Sequence, residues 1–199
     1  MSVRITCADG IRSPEQPSPV GADAMTGSAR MDALYHLMHL SGALAEAASV
    51  HEVVDQVADH LLLALQAQAF GLLVAEASRA RVIGHRGFPS ELVGLIDSDS
   101  LAPRVPVPGL TADAPSWELP DGVPSFFADR EELRTAFPEG ADIDDGMGAW
   151  AWLPLMVSGQ FVDICVVGYA RPRHFTLPER TTLTSIGALI VQALHRARQ

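Results

Sequence analysis

The sequence predicts an α+β domain, a central antiparallel sheet with helices on both faces. Two pairs of apolar runs are each joined by a short turn, which is the pattern of β-hairpins. Segments with helical spacing precede the first pair and follow the second. Between the pairs lies a long irregular crossover, Asp97 to Gly148. Hairpins make an antiparallel sheet, and helices with an apolar stripe must bury it against that sheet, so a layered α+β arrangement follows. The N- and C-terminal helices are expected to pack together.

Residues 1–28 carry three prolines, three glycines and no apolar period. They read as a flexible leader, with the folded domain at 29–199. A first helix is expected over 29–48, where Leu34, Leu37, Met38, Leu44 and Ala45 recur at helical spacing. Ser49-Val50-His51-Glu52 fits a capping box and opens a second helix over 50–66. Val53, Val54, Val57, Leu61, Leu62 and Leu65 give that helix its apolar face. Ala69–Ala77 is apolar almost throughout, as a strand covered on both faces must be. Ser78-Arg79 turns it into a partner at Arg81–Arg86, and Ser90–Ile96 reads as a short helix. Within the crossover, Ser116-Trp117-Glu118-Leu119 reads as a short strand, and Asp129 as the cap of a helix over Arg130–Phe137. Gly148–Val157 and Phe161–Ala170 form the second hairpin across Ser158-Gly159-Gln160. Thr176 caps a last helix whose stripe is Leu183, Ile186, Leu189, Ile190, Ala193 and Leu194.

Composition removes several function classes. A formal charge of −10 argues against a nucleic-acid binder, which needs a concentrated basic surface. All fourteen basic residues are arginine, which reads as codon bias in a GC-rich bacterial genome. No apolar run reaches the roughly 18–20 residues that span a bilayer, and the start lacks signal-peptide character, so a cytoplasmic location is expected. Cys7 and Cys165 make neither a disulfide framework nor a zinc site, and Cys165 reads as a small buried hydrophobe. His36 and His39 share a helix face but lack a third metal ligand. Asp142, Asp144 and Asp145 lack the ending of a calcium loop and read as a solvated loop. No phosphate loop, nucleophile elbow or HExxH is present. No catalytic or metal-binding residue is therefore expected.

The aromatic residues are the candidate ligand site. Trp150 and Trp152 are two apart on a strand and so share a face of the sheet. Trp117, Phe126 and Phe127 lie in the crossover that would roof that face. Such a pocket is apolar with few polar anchors, and Glu118 or His85 would supply one. The alternative is that these aromatics simply fill the core. Long irregular excursions inside compact domains are more often functional than accidental.

The C-terminal run carries a resemblance. Leu153-Pro154-Leu155-Met156-Val157-Ser158-Gly159-Gln160, then Gly168-Tyr169-Ala170-Arg171-Pro172-Arg173, Phe175 and Glu179-Arg180, resembles the end of a GAF domain. Arg130-Glu131-Glu132-Leu133-Arg134 with Phe137-Pro138 resembles a segment of GAF domains in actinobacterial regulators, which often precede a stage II sporulation E-type PP2C-like phosphatase module. The likeness covers roughly residues 30–198. It implies a small-molecule-sensing or protein-interaction domain without catalysis of its own. It implies a homodimer through the first and last helices, and an outgoing helix (Gln192 to Arg198) leading to an effector such as a phosphatase. The chain is thus expected to be a fragment of a longer protein. Cyclic-nucleotide-binding members carry an Asn-Lys-Phe-Asp-Glu type motif, absent from this lysine-free chain. Phytochrome-like members need a cysteine or an Asp-Ile-Pro type motif that the domain lacks. Free methionine sulfoxide reductases need a group of cysteines, whereas only Cys165 lies in the domain body. The alternatives are a purely structural dimerisation module with a filled pocket, or a small enzyme such as a sulfoxide reductase.

Overall fold

The computed structural model describes residues 20–76, 79–97, 123–136 and 144–199. Helices α1 (Val20–Glu46) and α2 (Val50–Leu65) lead into β1 (Ala69–Glu76), β2 (Arg79–Arg86) and α3 (Ser90–Asp97). Beyond the crossover come β3 (Ser125–Phe127), α4 (Arg130–Ala136), β4 (Ala149–Val157), β5 (Gln160–Tyr169) and α5 (Leu177–Ala197). The described strands form one antiparallel sheet in the order β2-β1-β5-β4-β3. The α+β architecture expected from the sequence is the one observed.

Local chemistry explains most element ends. The Ser49 hydroxyl accepts from the Glu52 N–H at 3.2 Å, and the Glu52 carboxylate accepts from the Ala48 N–H at 2.9 Å. Free amides of the first turn of α2 are thereby satisfied. At α5 the Glu179 carboxylate accepts from both the N–H and the hydroxyl of Thr176, at 2.7 and 2.8 Å. Asp129 caps α4, one oxygen accepting from the amides of Glu131 and Glu132 at 2.9 Å. Ser158 and Gly159 both have positive φ, 52° and 78°, the conformation a two-residue hairpin turn requires.

Two differences from the sequence reading have physical causes. The first helix runs from Val20, nine residues before its expected start at 29, through a stretch assigned to the leader. Its early turns carry no apolar stripe to announce them. Strand β3 was not anticipated, because three residues are too few to show alternation. The strand expected at Ser116–Leu119 lies outside the described residues.

One face of the sheet is covered by α1, α2 and α5. Leu40 and Leu44 of α1, Val53, Val57 and Leu61 of α2, and Leu183, Ile186, Ile190 and Leu194 of α5 pack on Phe70, Leu72, Leu153, Leu155, Cys165 and Val167. Burying each of the larger aliphatic side chains contributes about 2 kcal/mol. The approach is close: a Cβ on Gly84 of β2 would lie 2.3 Å from Cγ2 of Val54. The terminal helices meet, as expected, and the Arg196 guanidinium donates to the Leu44 carbonyl at 2.9 Å. On the other face the flanking helices lie at the sheet's edges, α3 beside β2 and α4 beside β3. Pro154 lies past the last rung between β3 and β4, at the sheet's outer edge, where a strand proline costs least.

Candidate functional site

The strand register fixes what shares the second face. Directly paired residues in an antiparallel sheet point the same way. One row therefore runs Phe127–Trp150–Gly168–Ala69, and the next runs Ser125–Trp152–Val166–Gly71–His85. Phe127, Trp150 and Trp152 are thus brought together. The rings of Phe127 and Trp152 meet edge-on, with centroids 6.1 Å apart at 85°. Trp150 is 2% exposed and packs with Phe127, Leu133 of α4 and Met147, while Trp152 is half-buried beside them.

His85 shares the row of Trp152 but sits on the far edge strand, three strands away. At about 4.8 Å per strand that is about 14 Å, so His85 does not meet the tryptophans. Its side chain is exposed. Trp117 and Glu118 lie outside the described residues.

The acidic loop departs from its expected solvated character. Asp145 is buried, 8% exposed, and its carboxylate accepts from Trp150 Nε1 at 2.7 Å, from Arg130 Nη2 at 2.8 Å and from the Met147 N–H at 3.1 Å. The Arg130 guanidinium also donates to the Met147 carbonyl at 3.0 Å and lies 5.1 Å from the Trp150 ring centroid. One carboxylate thus holds the indole, the start of α4 and its own loop in a single network. Such a network is favourable because each buried polar group finds a partner. Asp144, its neighbour, is exposed, and Asp142 lies outside the described residues.

Gly168 and Gly71 continue the Trp150 and Trp152 rows without side chains. Met147 stands 2.9 Å from where a Cβ on Gly168 would lie, and the Phe88 ring reaches over both glycines. Its carbons lie 3.5 and 3.4 Å from where their Cβ atoms would stand. Phe88 and Arg130 are not site candidates on sequence grounds, and Asp145 reads there only as part of a solvated acidic loop. Phe88 follows a glycine at the end of a strand, the one signal that marks it.

Two concave surfaces adjoin these elements. One, of about 440 Å³, lies between β3 and α4 and is lined by Phe126, Phe127, Glu131, Glu132 and Thr135. The other, of about 400 Å³, lies between β4 and α5 and is lined by Leu153, Pro154, Met156, Thr184, Ala188 and Val191. Among the described residues no group of three or more His, Cys, Asp or Glu could hold a metal ion. His39 instead stacks against His60 of α2, with ring centroids 6.4 Å apart. Cys165 is fully buried on the helix-covered face, and burial pushes its thiol up to about 12. A thiol so placed is not a nucleophile near neutral pH. The described residues of the second face bury Phe127 and Trp150 against Leu133 and Met147 and leave Trp152 half-exposed. They hold no base placed beside a nucleophile.

No family model and no curated sequence matches the chain. Solved structures do. The GAF domain of a phosphoenolpyruvate-protein phosphotransferase from Coxiella burnetii is 19% identical, with a TM-score of 0.63 over 84% of this chain and 95% of that one. A domain of a putative two-component sensor histidine kinase from Sinorhizobium meliloti is 20% identical, with a TM-score of 0.56 over 76% and 94%. A free methionine-R-sulfoxide reductase from Neisseria meningitidis, solved with its substrate, is 13% identical, with a TM-score of 0.58 over 84% and 92%. The chain has the GAF fold. Among the described residues no helix is long and apolar enough to cross a membrane.

Proposed function

We propose, from the GAF fold as premise, that the chain is a non-catalytic regulatory module of a bacterial signalling protein. Its guest, a small molecule or a partner segment with an apolar or aromatic part, would lie on the Phe127–Trp150–Trp152 face. The observation that carries this reading is the aromatic floor itself, with Trp150 held by Asp145 and Trp152 half-buried beside it. Aromatic walls with few polar anchors suit a small-molecule site. The sulfoxide reductase reading is weakened by Cys165, which is buried on the helix-covered face, away from the aromatic face, with its thiol suppressed. The dimerisation reading draws support from Phe88 and Met147, which already cover the two bare glycines of this face. The test is a thermal-shift screen of the purified chain against nucleotides, tetrapyrroles, amino acids and fatty acids. A ligand at a hundred times its Kd adds about 2.7 kcal/mol, on the order of 5–10 °C for a domain of this size. A response confined to one class supports the sensor reading and names its chemistry. Flat curves throughout favour the dimerisation module.

The same reading includes a homodimer in the cytoplasm. Met31, Leu34, Tyr35 and Met38 recur at helical spacing on α1 and are 67%, 56%, 60% and 75% exposed. An exposed apolar stripe of this kind suits a two-fold helical interface, with α5 packed beside it. Leu34→Glu with Met38→Glu should shift the chain from dimer to monomer in sedimentation. A wild-type chain that sediments as a monomer at high concentration rules the interface out. A downstream phosphatase-type effector, on the pattern of actinobacterial regulators, completes the proposal.

A further inference from the structure

Strand β5 carries an acid where its neighbours carry aliphatic side chains. Asp163 pairs with Val74 of β1 and Leu155 of β4, and its side chain has no solvent exposure. It lies on the helix-covered face, beneath the end of α5. Its partner is Arg198, the C-cap residue of α5, with Nη1 2.8 Å from Oδ2. Among the described residues neither Oδ1 nor Oδ2 meets a donor in hydrogen-bond geometry, so the contact with Arg198 is an ion pair. Burial raises the pKa of Asp163, and the arginine only partly offsets it. A buried pair of this kind is a poor stabiliser, because desolvation cancels much of the attraction. An aliphatic residue at 163 would fill the space between Val74 and Leu155 without that cost. What the acid adds is orientation.

The surroundings say what is oriented. Arg196, two residues before Arg198, donates to the Leu44 carbonyl of α1, so the last turn of α5 is held from the sheet and from α1 at once. On the opposite face of the same strand, three residues from Asp163, Val166 packs against the Trp150 cluster. Strand β5 thus has the aromatic site on one side and the anchor of the helix end on the other.

We infer that Asp163 and Arg198 form a positioning latch that sets the direction in which α5 leaves the sheet and ties it to the position of β5. The latch rests on the reading of the domain as a regulatory module whose last helix carries the output. Asp163 and Arg198 are positioning residues and touch no guest.

The test compares Asp163→Asn, Arg198→Gln and the double variant in the full chain without ligand. Amide hydrogen exchange is followed along α5, together with the thermal midpoint. Asp163→Asn should speed exchange of the amides of Ala193 to Arg198 by at least about tenfold, leaving Leu183 to Ile190 unchanged and the thermal midpoint no lower than that of the wild type. Arg198→Gln should speed the same amides but lower the midpoint, because it strands a buried carboxylate, and adding Asp163→Asn should restore it. An unchanged last turn in Asp163→Asn would overturn the latch. So would faster exchange spread evenly along α5 with a lower midpoint, which marks an ordinary core contact. A ligand screen without hits leaves this result standing, and an unchanged last turn leaves the screen's result standing, so the two readings fail separately.

Discussion

The two faces of this sheet are built by different rules. One is roofed by three helices whose aliphatic side chains approach so closely that Gly84 has no room for a methyl group. The other carries tryptophans, phenylalanines, bare glycines and an arginine–aspartate network, and its flanking helices stand at the edge strands. Dense aliphatic packing tolerates little rearrangement. The difference teaches where stability resides and where the molecule can afford to bind something.

The contrast can be broken at graded points, each read by chemical denaturation. Ile190→Ala, on the helix-covered face, should cost about 3 kcal/mol, as large-to-small changes at filled sites do. A cost under about 1 kcal/mol would mean that face is loosely packed after all. Gly84→Ala should cost about 2 kcal/mol, because the new Cβ meets the branched Val54 side chain, which has little room to yield. Asp145→Ala should cost about 2 kcal/mol by leaving the buried Trp150 indole N–H without its acceptor and removing the carboxylate paired with Arg130. It should also change Trp150 fluorescence, and an unchanged spectrum would remove Asp145 from the site. Gly71→Ala, one residue from the partner of Gly84 but on the aromatic face, should fall within about 0.5 kcal/mol, since Phe88 stands at ordinary contact distance. Equal costs at Gly84 and Gly71 would erase the distinction between the faces.

The smallest effect is on the pH dependence of stability. Asp163 holds its proton more tightly in the native state, because burial raises its pKa above 3.8. Its contribution is therefore fully present below 3.8 and is lost as pH rises through the native pKa. Glu179 works in the opposite sense. Burial opposes its ionisation, but the Thr176 amide and hydroxyl and the Arg173 guanidinium outweigh it and lower the pKa below 4.5. Its contribution is present above 4.5 and is lost as pH falls through the native pKa. Urea midpoints should show Asp163→Asn gaining on the wild type as pH rises above 3.8 and then levelling. A difference that does not change with pH would mean the acid titrates alike in both states.

Most of the fold was legible because its signals are local. The capping boxes at Ser49 and Thr176, the helical stripes of α2 and α5, and the Ser158-Gly159 turn each declare themselves within a few residues. The shared face of Trp150 and Trp152 follows from the period of a strand alone, and the register bears it out. What was missed depends on partners distant in sequence. His85 lies on the expected face, but only strand order shows that it stands at the other edge. Asp145 reads as one more acid in an acidic loop until Arg130 and Trp150 are seen to converge on it. Asp163, a single acid in the run Phe161–Ala170, passed unremarked in the sequence, because its ion-pair partner Arg198 lies at the far end of the following helix.

The Phe88 ring over Gly71 and Gly168 has a consequence for dose. If the proposed guest enters over these glycines, the Phe88 side chain is a tethered competitor that no dilution removes. Any free molecule entering there binds only the fraction of chains in which the ring is out. If that fraction is about one-tenth, the apparent affinity is weaker by about tenfold. The size of the residue at 88 is then a threshold setting. In the proposed sensor, a smaller side chain should lower the ligand concentration that gives a half-maximal thermal shift, and a larger one should raise it, with Trp150 and Trp152 left as they are.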